Sequence, residues 1–302
     1  MNYEELLREF TSRDERFIAM TAENRGPFRG LSVELGKRMI DVGIAEQTLI
    51  GMAAGLALAG KIPIVHAFST FMTMRAFEFI RTDIGLPRLP VKLVGSANGI
   101  LSEANGPTHQ ALEDIGLMRG IPNINIFCPA DADDLIIGMP QILESPEPFY
   151  VRYTNRAPVY THSEKFEIGK AESISVGSDI TILTYGALFS ETLEAVETLK
   201  RKGYSVGLLN VRTLKPIDTE AVTIAAANSR LLVTVEDHFM TGGLFSIVAE
   251  VMALSNVHTN ILPIAFQDRW FKPALLPDVL AYEKLRSEDI AERIEKHYAA
   301  IS

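Results

Sequence analysis

Four stretches of the sequence carry side chains that could do chemistry. The first is D-V-G-I-A-E-Q (Asp41–Gln47), which presents the carboxylate Glu46 and then runs into the apolar T-L-I-G-M-A-A-G-L-A-L-A-G. Burying an ionised carboxylate without a partner is costly. Glu46 must therefore be solvated, serve the helix that follows, or be held by something specific. With Gly43 as N-cap it would be third in that helix and would favour the dipole by about 0.3–1 kcal/mol. Apolar neighbours on both sides argue for a specific partner. So do Gly51 and Gly55, four apart on one face with Ala54 and Ala59 nearby, which let another backbone approach closely.

The second stretch is E-A-N-G-P-T-H-Q-A-L-E-D (Glu103–Asp114). Gly106-Pro107 makes a turn and Thr108 can cap a helix, which puts His109 at a helix start after a strand and a loop. Ligands in open α/β sheets bind beside the carboxyl ends of strands, so His109 reads as either a structural or a catalytic histidine. The third is H-A-F-S-T-F-M-T-M-R-A-F-E-F-I-R (His66–Arg81), dense in aromatic and thioether side chains. Phe77 and Phe79 read as core. Phe68 and Phe71, where strand gives way to helix, could sandwich a flat heterocycle. The fourth is F-Y-V-R-Y-T-N-R (Phe149–Arg156). Arg152, ending a buried strand, suits an anion such as phosphate or carboxylate, or a salt bridge across a domain boundary.

Missing motifs narrow the chemistry. There is no G-x-x-x-x-G-K-[ST], no G-x-G-x-x-G after a strand, and no Cys/His/Asp cluster at metal-ligand spacing. The Gly242-Gly243 pair before a helix reads as close packing. A glutamate, an aromatic pair, a histidine and arginines without a phosphate cradle or metal site make half of an active site.

The elements that must hold these side chains alternate. Near-continuous apolar strands are expected at Pro63–Ala67, Val91–Val94, Ile124–Cys128, Phe149–Tyr153, Ile180–Tyr185, Val206–Val211, Leu231–Glu236 and Ile261–Ala265. Helices are expected at Ala45–Ala59, Phe71–Thr82, Ala111–Arg119, Ala132–Leu143, Ser190–Lys202, Thr219–Asn228, Leu244–Leu254 and Ser287–His297. This alternation predicts an α/β protein whose mostly parallel sheets are covered by helices on both faces. A stretch without strong period between Arg156 and Gly177 marks a boundary. One domain is expected over 1–160, a linker over 161–175, and a second domain over 176–302, restarting at D-I-T-I-L-T-Y-G.

The 302 residues carry a net charge of −9, which argues against nucleic acid or an anionic membrane as partner. The uncharged run between Gln47 and Lys61 is too short to span a bilayer, which needs about 20 apolar residues. The single cysteine, Cys128, allows no internal disulfide and reads as a small core hydrophobe. The acidic, amphipathic start is not a signal peptide, so a soluble cytoplasmic protein is expected.

Together the stretches resemble the transketolase superfamily of thiamine-diphosphate enzymes. V-G-I-A-E-Q, F-S-T-F-x-x-x-R-A, G-P-T-H-Q, F-Y-V-R-Y and V-E-D-H-x-x-x-G-G-L (235–244) occur in the family's order across most of the chain. In such enzymes a first domain binds the diphosphate and Mg2+ through G-D-G and N-N, and this chain contains neither. It resembles the C-terminal two-thirds of a transketolase: a pyrimidine-binding domain, then a C-terminal domain, of a split two-chain enzyme. The resemblance implies an N-terminal partner subunit that carries the diphosphate-binding domain and the ligands for Mg2+ or Ca2+, with no metal ligand on this chain. It also implies an α2β2 heterotetramer with thiamine diphosphate at subunit interfaces, and sugar or sugar-phosphate substrates.

The resemblance implies roles as well. Glu46 matches the glutamate that hydrogen-bonds the aminopyrimidine ring nitrogen and favours the imino tautomer, whose nitrogen removes the thiazolium proton. Phe68 and Phe71 match aromatics packing on the pyrimidine, and Ile44 joins them against the cofactor. His109 matches a histidine at the substrate's hydroxyl or carbonyl region, and Arg152 an arginine at its far, usually phosphorylated, end. Arg75 is similar in place to an arginine near that end in deoxyxylulose-phosphate synthases, with the spacing from Phe68 differing by one.

Four departures gather at the substrate end. Asn105 replaces an aspartate before G-P-T-H-Q, and an amide donates as well as accepts, so the hydroxyl pattern read there can differ. Ala97 or Asn98 stands where a phosphate-binding histidine is common. T-A-E-N-R-G-P-F-R-G-L (Thr21–Leu31) replaces a serine-containing phosphate loop but supplies Arg25 and Arg29. D-R-W-F-K-P-A-L-L lacks the usual G-E-S-G. The expected activity is transfer of a two-carbon ketol unit from a ketose, expected to be phosphorylated, to an aldose, by a subunit active only with its partner. Alternatives are the β-type subunit of a 2-oxoacid dehydrogenase, which G-P-T-H-Q disfavours, and a deoxyxylulose-phosphate-synthase-like enzyme. A catalytically silent regulatory subunit is a further one, which the intact Glu46, His109 and Arg152 disfavour.

Overall fold

The computed structural model describes residues 1–301. The chain packs as two compact units, one of Met1–Asn98 with Leu117–Ile168, the other of Gly99–Gly116 with the chain from Gly169 onward. The segment carrying Asn105 and His109 therefore belongs to the second unit, although it lies within the first half of the sequence.

The first unit opens with α1 (Tyr3–Arg13), started by a capping box in which the Asn2 side chain accepts from Glu5 N and the Glu5 side chain accepts from Asn2 N. Six parallel strands follow in the spatial order β5-β6-β4-β3-β1-β2. They are β1 (Phe17–Thr21), β2 (Met39–Asp41), β3 (Ile62–Phe68), β4 (Lys92–Ser96), β5 (Asn125–Phe127) and β6 (Phe149–Arg152). Alternation along the strands divides their side chains between two faces. On one face Ile64, Val94, Phe149 and Val151 join a core with α1, with α2 (Leu31–Leu35) and with α6 (Ala132–Glu144). α3 (Glu46–Leu58) also packs on β1 and β3. After β3, two π-helical turns, Phe71–Arg75 and Ile80–Gly85, flank the single α-turn α4 (Phe77–Phe79). The expected helix over Phe71–Thr82 is thus underwound into wider π-turns, a form that concentrates at functional sites.

In the second unit, β7 (Glu172–Ser175), β8 (Ile180–Thr184), β9 (Val206–Asn210), β11 (Leu231–Phe239) and β12 (Asn260–Phe266) form a sheet ordered β12-β11-β8-β9-β7. All its pairings are parallel except β7 against β9. Two helix pairs cover it, α7 (Phe189–Arg201) with α11 (Ser287–Ile301), and α8 (Thr219–Asn228) with α9 (Leu244–Leu254). The unit also holds the first turn of α5 (Asp114–Arg119), α10 (Leu276–Tyr282) and the short strand β10 (Thr213–Lys215). Cys128 is buried in the first unit and in no disulfide. Among the described residues no helix is long and apolar enough to cross a membrane.

Candidate active site

Because the first sheet is parallel, the carboxyl ends of β1, β2, β3, β4 and β6 lie along one edge, where ligands of such sheets bind. That edge receives Thr21, Asp41, Phe68, Ser96 and Arg152. The candidate residues of this unit either end these strands or follow them.

Asp41 ends β2 and shapes the turn into α3. Its Oδ1 accepts from Gly43 N at 2.9 Å and from Glu23 N at 3.3 Å, and Gly43 takes φ +70°, which favours glycine. Arg25 closes an ion pair on Asp41 Oδ2 at 2.6 Å. Burial would raise the Asp41 pKa, but the Gly43 and Glu23 amides and the Arg25 guanidinium together hold it below the usual carboxylate range. The sequence signals this residue only through Asp-x-Gly, a local side-chain-to-backbone turn.

The turn delivers Glu46 as the first residue of α3, with Ala45 as N-cap. The expectation of Gly43 as N-cap and Glu46 as third residue is corrected: the positive φ of Gly43 closes the turn two residues before the cap. Glu46 is 2% exposed, so it is not solvated. Its Oε2 accepts from Arg75 Nη1 at 2.7 Å, and the Arg75 guanidinium carbon lies 4.4 Å from the centre of the Phe71 ring. Phe71 meets Phe68 edge-on at 6.1 Å and 85°. The structure thus gathers Glu46, Phe68, Phe71 and Arg75 into one cluster. Phe68 and Ile44 are both exposed. A buried carboxylate beside an aromatic pair fits a flat heterocycle with a ring nitrogen to hydrogen-bond.

Arg152 ends β6 in register with Gly95 and is 2% exposed. Gly95 is required there, since a Cβ would come within 2.4 Å of Ser69 Oγ and 2.9 Å of the Tyr150 ring. Among the described residues, the buried hydroxyls of Ser69 and Ser96 have no hydrogen-bond partner. Buried hydroxyls without partners are costly unless a ligand or water completes them. Asn98 instead holds two carbonyls, Gly95 O at 3.3 Å and Tyr153 O at 2.7 Å.

His66, on β3, is a core histidine. Its Nδ1 donates to Met20 O at 3.3 Å and its Nε2 accepts from the Tyr3 hydroxyl at 3.0 Å. Burial pushes its pKa down to about 3, so the ring is neutral.

In the second unit His109 lies in a turn, not at a helix start. Its backbone N donates to Gly106 O at 2.9 Å, and Thr108 Oγ1 lies 2.9 Å from its Nδ1. The helix after it, α5, begins only at Asp114. The hydroxyl expected to cap that helix is committed to His109 instead. Asn105 is exposed one residue before Gly106.

Residues 1–158 match the family model described as "Transketolase, pyrimidine binding domain", and residues 169–290 match "Transketolase, C-terminal domain". The 6-deoxy-6-sulfo-D-fructose transketolase subunit SqwH of Clostridium sp. (strain MSTE9) is 39% identical over 254 residues, covering 83% of this chain and 79% of that protein. The 1-deoxy-D-xylulose-5-phosphate synthase of Dictyoglomus thermophilum is 36% identical over 265 residues, 85% of this chain but 42% of that longer protein. A solved structure described as a split gene transketolase, inactive beta4 tetramer, superposes with a TM-score of 0.89 at 31% identity, covering 98% of this chain and 97% of that one.

Proposed function

The chain belongs to the transketolase family, and on that premise we propose that it is one subunit of a two-polypeptide transketolase. In this reading residues 1–160 bind the pyrimidine half of thiamine diphosphate, 161–175 link, and 176–302 form the C-terminal domain. A partner subunit holds the diphosphate and its divalent metal ion, and the open face of α3 meets another chain. The reading is supported most by one observation, the buried Glu46 carboxylate beside the Phe68–Phe71 pair at the carboxyl edge of the first sheet.

When bound, thiamine diphosphate supplies the electron sink for breaking and making a carbon–carbon bond next to a carbonyl. This chain's residues do the rest. Glu46 gives its carboxylate to the pyrimidine nitrogen and fixes the ring's protonation. Phe68, Phe71 and Ile44 exclude water around it. His109 and Asn105 read the hydroxyl and carbonyl end of the sugar. Arg152 and Arg25, with the Ser69 and Ser96 hydroxyls, receive an anionic far end. A guanidinium fork suits phosphate or sulfonate alike, so the donor is a ketose with an anionic far end and the acceptor an aldose.

Calorimetric titration of thiamine diphosphate with Mg2+ tests this. We expect weak or no binding to the chain alone, and tight binding once a partner subunit carrying G-D-G and N-N is added. Tight, Mg2+-dependent binding by the single chain would sink the two-polypeptide reading. The likeness to deoxyxylulose-phosphate synthases supports a second reading, which release of CO2 from pyruvate by the complex would favour over ketol transfer.

A further inference from the structure

The stretch V-E-D-H-x-x-x-G-G-L has no place in the chemistry above, yet it is closely built. Glu236, fully buried on β11, accepts from Leu244 N at 2.6 Å and from Phe245 N at 2.9 Å. It therefore holds the start of α9, whose first amides have no partner within the helix. This draws the Gly242-Gly243 turn against β11 so closely that a Cβ on Gly243 would lie 2.0 Å from Glu236 Oε2 and 2.8 Å from His238 Nδ1. Gly242 takes φ +86°, and a Cβ there would lie 3.1 Å from Gly116 Cα.

That last contact crosses to the segment carrying His109. Gly116 N donates to His238 Nε2 at 3.2 Å. Nε2 is therefore the acceptor nitrogen, which puts the ring proton on Nδ1, and Nδ1 donates to Phe239 O at 2.6 Å. The next amide, Phe239 N, donates to Leu112 O at 3.0 Å. The end of β11 thus grips the segment twice, at Leu112 and at Gly116. Just ahead of the grip, Gly99 and Ala111 bond reciprocally at 3.1 and 3.2 Å and close the loop. At the loop's tip, Gly106 (φ +75°) rests against Pro273, where a Cβ would come within 3.0 Å of the proline ring.

We infer that the E-D-H-x-x-x-G-G stretch is a clamp for the loop that bears His109, and that His238 is a positioning residue for the reaction. His238 touches no reacting atom; it fixes the backbone from which His109 is presented. Gly116 N lies in the first turn of α5 and has no acceptor within that helix. A distant imidazole supplies one and ties the start of a short helix to the strand. The choice of two glycines follows, because a side chain at Gly242 would press on Gly116 and one at Gly243 on Glu236 and His238 themselves. That His109 meets the substrate rests on the transketolase reading; the clamp itself does not.

The test uses His238→Ala, His238→Gln and Gly242→Ala in the full chain, followed by histidine-labelled heteronuclear NMR. In His238→Ala and Gly242→Ala we expect the His109 resonances to shift and broaden while those of His66 in the other unit stay in place, which reports an intact fold. His238→Gln, which keeps an acceptor oxygen, should recover much of the native His109 signal. With the partner subunit present, His238→Ala should lower kcat/KM for the ketose roughly tenfold, the order of one lost buried hydrogen bond, with thiamine diphosphate affinity unchanged. Unmoved His109 resonances in both a folded His238→Ala and a folded Gly242→Ala chain overturn the clamp. Inactivity of the wild-type complex overturns the transketolase reading but leaves the NMR result to decide the clamp.

Discussion

Arg75 and Glu46 form an ion pair of 2.7 Å in which the carboxylate is buried and the guanidinium side chain is 42% exposed. The arginine thus gives the buried carboxylate its charged partner. Removing Arg75 alone should strand a buried carboxylate, so Arg75→Met is expected to destabilise the chain by about 1–3 kcal/mol. Glu46→Gln/Arg75→Met should recover part of that loss, because the stranded charge is gone. Urea unfolding of the two single variants and the double closes the cycle. Glu46→Gln alone should abolish turnover by the complex while the chain stays folded; activity near wild type would remove Glu46 from the mechanism.

Gly51 and Gly55 lie inside α3, and a Cβ at either position meets nothing within 4 Å. Replacing each by alanine should stabilise the isolated chain by about 0.5–1 kcal/mol through helix propensity. If the open face of α3 meets another chain, the same methyl groups should weaken assembly. Thermal unfolding of the chain and sedimentation of the complex should therefore move in opposite directions. An unchanged assembly constant would place the interface elsewhere.

His66 makes stability depend on pH in a predictable direction. Its folded pKa of about 3 lies below the unfolded value near 6.5, so in that window the unfolded chain binds the extra proton. The contribution is fully present above about pH 6.5 and is lost as pH falls toward 3, with a slope of up to about 1.4 kcal/mol per pH unit. His66→Gln should flatten that part of the profile, measured as urea midpoint against pH.

Gly95 leaves room for the Ser69 hydroxyl and the Tyr150 ring beside Arg152. Gly95→Ala should cost about 1–3 kcal/mol as an overpacked core site and should raise the KM for an anionic ketose more than it changes cofactor affinity. Equal effects on both would mean that Arg152 and the cofactor cluster do not act separately.

Much of the architecture was legible in the sequence. Strands such as Ile180–Thr184 and Val206–Asn210 are uncharged, largely apolar runs between helical patterns, as buried parallel strands tend to be. Phe17–Thr21 escaped because five residues between charged flanks carry little period of their own. β7 escaped because it is an antiparallel edge strand with polar residues. Glu46, Phe68 and Phe71 stand out chemically in the sequence against their surroundings, and the structure brings them into one cluster. Their mutual arrangement was not legible, because Arg75 reaches Glu46 only through a π-helical turn that no residue pattern announces. Nor did the sequence disclose the union of His238 with Gly116, which depends on two segments far apart in the chain.

The exchange of Gly99–Gly116 into the second unit also bears on how a gene for such an enzyme can be divided. The chain passes between the units three times, so one break at residue 168 would not yield two self-sufficient polypeptides. It would leave a loop-bearing fragment of the second unit covalently trapped in the first.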